Sequence, residues 1–174
     1  MKAVILAGGL GTRLSEETHL KPKPMVEIGG KPIIWHIMKI FSKYGFKEFI
    51  IALGYKSQVI KDYFLNFTFR NNDFEIDLGN NKIRNLSEDK NDWKISLIDT
   101  GLNTMTGGRL KRLKEYLKED SFLLTYGDGL ADINLKNLVN FHNFHKKMIT
   151  ITTVRPAARF GELNIKDKKV ISFE

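Results

Sequence analysis

Lys2-Ala3-Val4-Ile5-Leu6-Ala7-Gly8-Gly9-Leu10-Gly11-Thr12-Arg13 opens the chain, and Lys21-Pro22-Lys23-Pro24 follows shortly after. The apolar run 3–6 reads as a buried strand that starts an α/β domain. Glycines at 8, 9 and 11 let the backbone approach a ligand closely. Consecutive peptide N–H groups in such a turn form a concavity that binds anions. Thr12, Arg13, Lys21 and Lys23 add one hydroxyl and three cations, so the segment reads as a polyphosphate site. The competing reading is a glycine-rich turn with no ligand.

Two phosphate loops of known mechanics do not fit. A P-loop requires G-x-x-x-x-G-K-[ST], and here Arg13 follows Thr12. The dinucleotide fingerprint G-x-G-x-x-G could use Gly9 and Gly11, but Leu14 stands where the third glycine belongs. The residues after it, Ser15-Glu16-Glu17-Thr18, do not open a long apolar-striped helix.

The 174 residues suffice for one domain with a single core. Hydrophobic residues at 42% and charged residues at 28% place the chain among ordinary globular proteins. No apolar run reaches the roughly 18 residues of a membrane span. The chain enters a strand with no cleavable signal pattern, so a cytoplasmic location is expected. Absence of cysteine excludes a disulfide framework, a thiolate metal site and a cysteine nucleophile. Lys and Arg outnumber Asp and Glu by 28 to 20, a net charge of +8. The positive charge is scattered, and neither an RNA-binding signature nor a zinc finger accompanies it, so nucleic acid is not the expected partner.

Strand-like and helix-like segments alternate, which predicts a mostly parallel sheet covered by helices. Helices are expected over 32–44, 56–64, 108–117 and 135–145. Strands are expected over 48–53, 95–98, 121–125 and 148–154. Residues 66–93 read as a polar surface excursion with a short strand at 74–78, and 155–174 as short strands with turns. No internal repeat is visible.

In open α/β sheets, ligands bind at the carboxyl ends of strands where the strand order reverses. Tyr126-Gly127-Asp128-Gly129 ends one expected strand, as the glycine loop ends the first. If the two strands are neighbours, Asp128 faces the polyphosphate site and suits a Mg²⁺ ion, which takes one or two carboxylates plus phosphate oxygens. The alternative for Asp128 is a turn residue, and for Lys23 a surface lysine. Pro22 and Pro24 should hold Lys23 in an extended, stiff segment. Asp132 is a second candidate for the metal, and its other reading is a helix cap before Leu135. His142 and His145 lack the spacing of a metal site.

The run L-A-G-G-x-G-T-R-L with K-P-K-P-M resembles the signature of the sugar-nucleotidyltransferases. Glu27-Ile28-Gly29-Gly30-Lys31-Pro32, Asp99-Thr100-Gly101, Thr106-Gly107-Gly108-Arg109 and Tyr126-Gly127-Asp128-Gly129 extend the likeness over the whole chain, in order. The resemblance implies an α/β, Rossmann-like fold: a mostly parallel open sheet with helices on both faces. It implies a single nucleotidyltransferase domain over 1–174, incomplete at its C-terminus, because the chain stops at Phe173-Glu174 as if cut between the glutamate and the lysine of the family's glutamate-lysine-proline motif.

The implied reaction is nucleotidyl transfer from CTP to α-D-glucose 1-phosphate, giving CDP-glucose and pyrophosphate, with Mg²⁺ as cofactor. The alternatives are use of UTP or dTTP, and a nucleotide-binding module inactive without the missing C-terminal part. By the family's pattern Arg13 and Lys23 are catalytic: Arg13 neutralises the leaving pyrophosphate and Lys23 contacts the α-phosphate or the incoming phosphate. Leu6, Ala7, Gly8, Gly9, Gly11, Thr12, Thr104, Arg109 and Gly127 bind the nucleotide, and Asp128 holds the metal. Arg109 has an alternative as an exposed residue of a first helical turn. Family members are commonly oligomers, so a homo-oligomer is expected.

Overall fold

Residues Ala3–Leu6 form β1, and all four side chains are buried. A strand covered on both faces loses the apolar–polar alternation of a half-exposed one, which is why this run reads as continuously apolar. The computed structural model describes residues 1–10, 21–87, 91–118, 121–154 and 163–173. Contacts divide the chain into two compact units, Met1–Ile133 and Asn134–Glu174.

In the first unit a short 3-10 turn, Lys23–Met25, leads to a small antiparallel pair, β2 (Glu27–Ile28) and β3 (Lys31–Pro32). Helix α1 (Ile33–Lys43) follows, then β4 (Glu48–Leu53), α2 (Ser57–Leu65) and α3 (Phe67–Asn71). A hairpin of β5 (Phe74–Asp77) and β6 (Lys82–Asn85) precedes β7 (Lys94–Asp99). Helices α4 (Thr106–Arg112) and α5 (Lys114–Leu117) lead to β8 (Leu123–Tyr126).

The central sheet has the order β7-β4-β1-β8, and every pair in it is parallel. The chain therefore steps outward from β1 to β4 and β7, then returns to the other side of β1 as β8. Right-handed crossovers put helices on one face while the chain moves one way, and on the opposite face once it reverses. Side-chain packing agrees: Val4, Leu6, Ile50 and Ala52 share a cluster with Leu113, which joins α4 to α5, and Leu117, which ends α5. The intervening Ala3, Ile5, Phe49, Ile51 and Leu53 point to the other face and are equally buried, as are Ile34, Ile37 and Met38 of α1 and Ile60 of α2. A parallel sheet with helices on both faces, the fold class expected, is what forms.

Element boundaries follow the expectations closely at 48–53, with small shifts at α1, α2, β7 and β8. The helix expected over 108–117 begins earlier and divides in two around Leu113, whose N–H bonds the carbonyls of both Arg109 and Leu110.

In the second unit, α6 (Leu135–His145) is followed by an antiparallel hairpin of β9 (Leu163–Lys166) and β10 (Lys169–Phe173). The cap of α6 is Asn134, whose side-chain oxygen accepts the Asn137 N–H at 3.0 Å; Asp132 does not fill this role. The strand expected over 148–154 is absent. Met148 is 93% exposed and Ile151 77%, and no strand among the described residues supplies a ladder for their backbone groups. His142 Nδ1 and His145 Nε2 both bond the Thr150 hydroxyl, at 2.8 and 2.7 Å, so these histidines tie the end of α6 to the segment after it. Among the described residues no helix is long and apolar enough to cross a membrane.

Candidate active site

The reversal of strand order falls between β1 and β8. Leu6 stands opposite Tyr126, and the ladder runs one step further, with Gly127 N–H donating to the Leu6 carbonyl at 2.9 Å. Ala7-Gly8-Gly9 and Gly127-Asp128 thus leave two adjacent parallel strands at their carboxyl ends, the place where such sheets bind ligands.

Lys23 reaches this place through Pro24. A Cβ added at Gly127 would lie 2.8 Å from Pro24 Cγ and 3.1 Å from the Leu6 carbonyl oxygen, so the proline seats directly on the glycine. Pro22 is fully buried and its carbonyl accepts the Met25 N–H at 2.8 Å. The two prolines do not keep the whole segment extended. Pro22 is extended, and residues 23–25 then coil into the 3-10 turn that aims Lys23 at β8. Its ammonium lies 3.7 Å from Asp128 Oδ2, with the lysine side chain 19% exposed and the carboxylate 42%. Two residues 105 positions apart in sequence thus form one ion pair at these strand ends.

Lys21 points elsewhere. Its ammonium bonds Glu27 Oε1 at 2.8 Å in an exposed pair, and this hydrogen bond holds the Glu27 carboxyl below its usual range. Gly11, Thr12 and Arg13 lie outside the described residues.

Arg109 is not the exposed residue of a first helical turn. It is buried, 5% exposed, and its guanidinium turns inward beneath the strand ends. One terminal nitrogen donates to the Leu53 carbonyl (3.0 Å), the Thr100 hydroxyl (2.7 Å) and the Gly101 carbonyl (2.8 Å). The other donates to the carbonyls of Gly8 (2.7 Å) and Leu102 (3.2 Å). Glycine is required where this side chain passes. A Cβ at Gly54 would come within 2.5 Å of the guanidinium, and one at Gly8 would overlap it. Removal from water draws the Arg109 pKa below its usual value, partly offset by Asp99. Thr104 belongs to the same network: its hydroxyl accepts from Arg112 at 2.8 Å, and Arg112 also donates to the Thr100 carbonyl at 2.5 Å.

Thr100, Gly54 and Pro24 were not singled out as site residues from sequence. Gly54, directly after an apolar run, carried a signal, because strand-end glycines mark close backbone approach. Thr100 carried none beyond the Asp99-Thr100-Gly101 motif.

A hollow of about 280 Å³ lies at the opposite, amino ends of the strands, lined by Lys2, Glu48, Lys94 and Tyr116 among others. It contains none of the residues expected to act in the reaction. Metal ligands are sparse: among the described residues no three His, Asp or Glu side chains gather into a metal site. Asp128 offers a half-exposed carboxylate at the cleft. That suits Mg²⁺, whose remaining ligands are ordinarily phosphate oxygens and water.

The sequence profile of the nucleotidyl transferase family matches residues 2–174. A glucose-1-phosphate cytidylyltransferase from Salmonella typhimurium is 54% identical over 175 residues, spanning all of this chain and 68% of that protein. A D-glycero-alpha-D-manno-heptose 1-phosphate guanylyltransferase from Campylobacter jejuni is 34% identical, again over the whole chain and 68% of the relative. Among solved structures, HddC from Yersinia pseudotuberculosis in complex with GMP-PN superposes with a TM-score of 0.61 at 26% identity, covering 99% of this chain and 68% of its own. A parallel sheet that reverses between β1 and β8, a glycine run at the reversal and a match along nearly its full length make this chain a member of the nucleotidyl transferase family.

Proposed function

We propose that this chain carries the nucleotide-binding site and much of the catalytic apparatus of an enzyme that transfers a cytidylyl group from CTP to α-D-glucose 1-phosphate, releasing pyrophosphate. The observation that carries this reading is the pairing of Lys23 with Asp128 beside the glycine run, in a chain 54% identical to a cytidylyltransferase of that specificity.

The chemistry asks little of a general base. A phosphate oxygen of glucose 1-phosphate, already anionic at neutral pH, attacks the α-phosphorus of CTP. The bond from that phosphorus to the bridging oxygen of the β-phosphate breaks, and pyrophosphate departs with the electron pair. Rate enhancement must then come from alignment and from neutralising charge on the transferring group.

Lys23, a compact point charge on a turn fixed by Pro24, neutralises the α-phosphate or the incoming phosphate. Arg13 is assigned to the leaving pyrophosphate. Asp128 is the residue that would hold Mg²⁺, and the ion when bound neutralises phosphate oxygens. Leu6, Ala7, Gly8, Gly9, Gly11 and Thr12 supply the strand end and loop against the nucleotide, with Gly127 on the β8 side. Thr104 and Arg109 contribute by shaping the wall behind Gly8.

The base is the sharpest test, since a relative at 34% identity bears the name of a guanylyltransferase. With CTP, UTP, dTTP and GTP at equal concentration, plus glucose 1-phosphate and Mg²⁺, CDP-glucose should dominate by about 10⁴-fold or more, as expected of a site built to hydrogen-bond the base. Predominant formation of another nucleoside diphosphate glucose would overturn the assignment of CTP.

A further inference from the structure

We propose that Arg109 and Thr100 are positioning residues for the proposed nucleotide site: they fix the Gly8–Gly9 peptide so that the Gly9 N–H faces the β8 side of the cleft as a phosphate donor. This inference rests on the reading of that cleft as a nucleotide site.

The argument begins with the planar trans peptide, in which C=O and the following N–H point in opposite directions. The preceding strand shows the rule. The Leu6 carbonyl accepts from Gly127 on the β8 side, and the Ala7 N–H in the same peptide donates to Ala52 on the β4 side at 3.0 Å. At the Gly8–Gly9 peptide the sense is inverted. The Gly8 carbonyl accepts the Tyr55 N–H at 3.1 Å and the Arg109 guanidinium at 2.7 Å, both from the β4 side. Its partner N–H, that of Gly9, must therefore point the other way, toward the side on which Gly127, Asp128 and Lys23 lie.

Arg109 can hold this orientation because it is itself over-determined. Its two terminal nitrogens reach five acceptors on the ends of β1, β4 and β7 and on the loop after β7. Thr100, fully buried, sets the register of the clamp. Its hydroxyl donates to the Leu53 carbonyl at 2.7 Å and accepts from Arg109, while its N–H bonds the same carbonyl at 2.9 Å. Among the described residues no carboxylate hydrogen-bonds the guanidinium, and Asp99 acts on its charge only through space, so a positive charge lies behind the loop. A buried cation there adds to the pull on a polyphosphate.

Thr100→Val keeps the branched shape and removes the hydroxyl, while Thr100→Ser keeps the hydroxyl. Affinity for CTP with Mg²⁺ and for cytidine would be measured on the 174-residue chain by NMR titration, with folding checked by the dispersion of the same spectra. Expected is a loss of about tenfold for CTP in Thr100→Val, cytidine unchanged within twofold, and recovery in Thr100→Ser to within about threefold of the unmodified chain. A residue that only stabilised the fold would not separate the two ligands.

Unchanged CTP affinity in folded Thr100→Val, or equal losses for CTP and cytidine, overturns the inference and leaves the nucleotide site standing. Failure of the unmodified chain to bind CTP overturns both. Should Thr100→Val not fold, the unmodified chain still decides: pyrophosphate with Mg²⁺ should shift the Gly9 amide resonance strongly, and an unmoved Gly9 amide overturns the inference.

Discussion

Replacing Lys23 by alanine should slow pyrophosphate release from CTP and glucose 1-phosphate by roughly 10²–10³-fold, the usual cost of removing one preorganised group from a charge-stabilised transition state. The ammonium is held by a chain of contacts rather than by its own stem. Pro22 is buried, residues 23–25 form a 3-10 turn, and Pro24 rests on Gly127. Alanine at 23 leaves all of these in place, so the melting temperature should move little while the rate collapses. Rate measurement under saturating substrates separates the effect from binding. A loss of less than about tenfold would show that the ammonium makes no contact that strengthens in the transition state.

Asp128→Asn should remove the metal dependence of the site. The change keeps the shape and deletes the charge that Mg²⁺ requires. Mn²⁺ bound near Asp128 should broaden the backbone amide signals of Gly127 and Gly129 in the unmodified chain, and this broadening should be lost in the variant. Turnover should fall about a hundredfold or more, since the ion's charge stabilisation is worth several kcal/mol. The substitution also removes the carboxylate 3.7 Å from Lys23. The two variants are therefore expected to be non-additive, because each removes a partner of the other. Broadening that persists unchanged in Asp128→Asn would move the metal elsewhere.

How far the sequence carries can be judged from particular residues. Residues 48–53 and 135–145 are read with their observed boundaries, the first because a strand buried on both faces is continuously apolar, the second because the helical pattern is uninterrupted. The glycine run, Lys23 and Asp128 are also legible, since each sits in a short motif whose chemistry is local. What periodicity does not contain is the strand order. Only the placement of β8 beside β1 brings Asp128 to the glycine run, and this depends on packing between segments more than a hundred residues apart.

Side-chain direction was illegible for the same reason. Arg109 follows two glycines in a basic helix, and its pattern resembles that of a solvent-facing or ligand-facing cation. Burial depends on acceptors at Gly8, Leu53 and Gly101, which no window around position 109 includes. Lys21 reads from its position as one of the phosphate cations, but Glu27 lies across the turn and pairs with it. The strand expected over 148–154 has the right residues and lacks a ladder partner among those described. Apolar β-branched composition is permissive for a strand, and pairing decides it.

The most direct test of the whole reading is pyrophosphate release by the 174-residue chain supplied with CTP, glucose 1-phosphate and Mg²⁺. Pyrophosphate and CDP-glucose should appear in equal amounts, and neither should form when any one of the three is omitted. No pyrophosphate with all three present, together with a melting temperature that CTP leaves unchanged, would contradict a nucleotide site between β1 and β8.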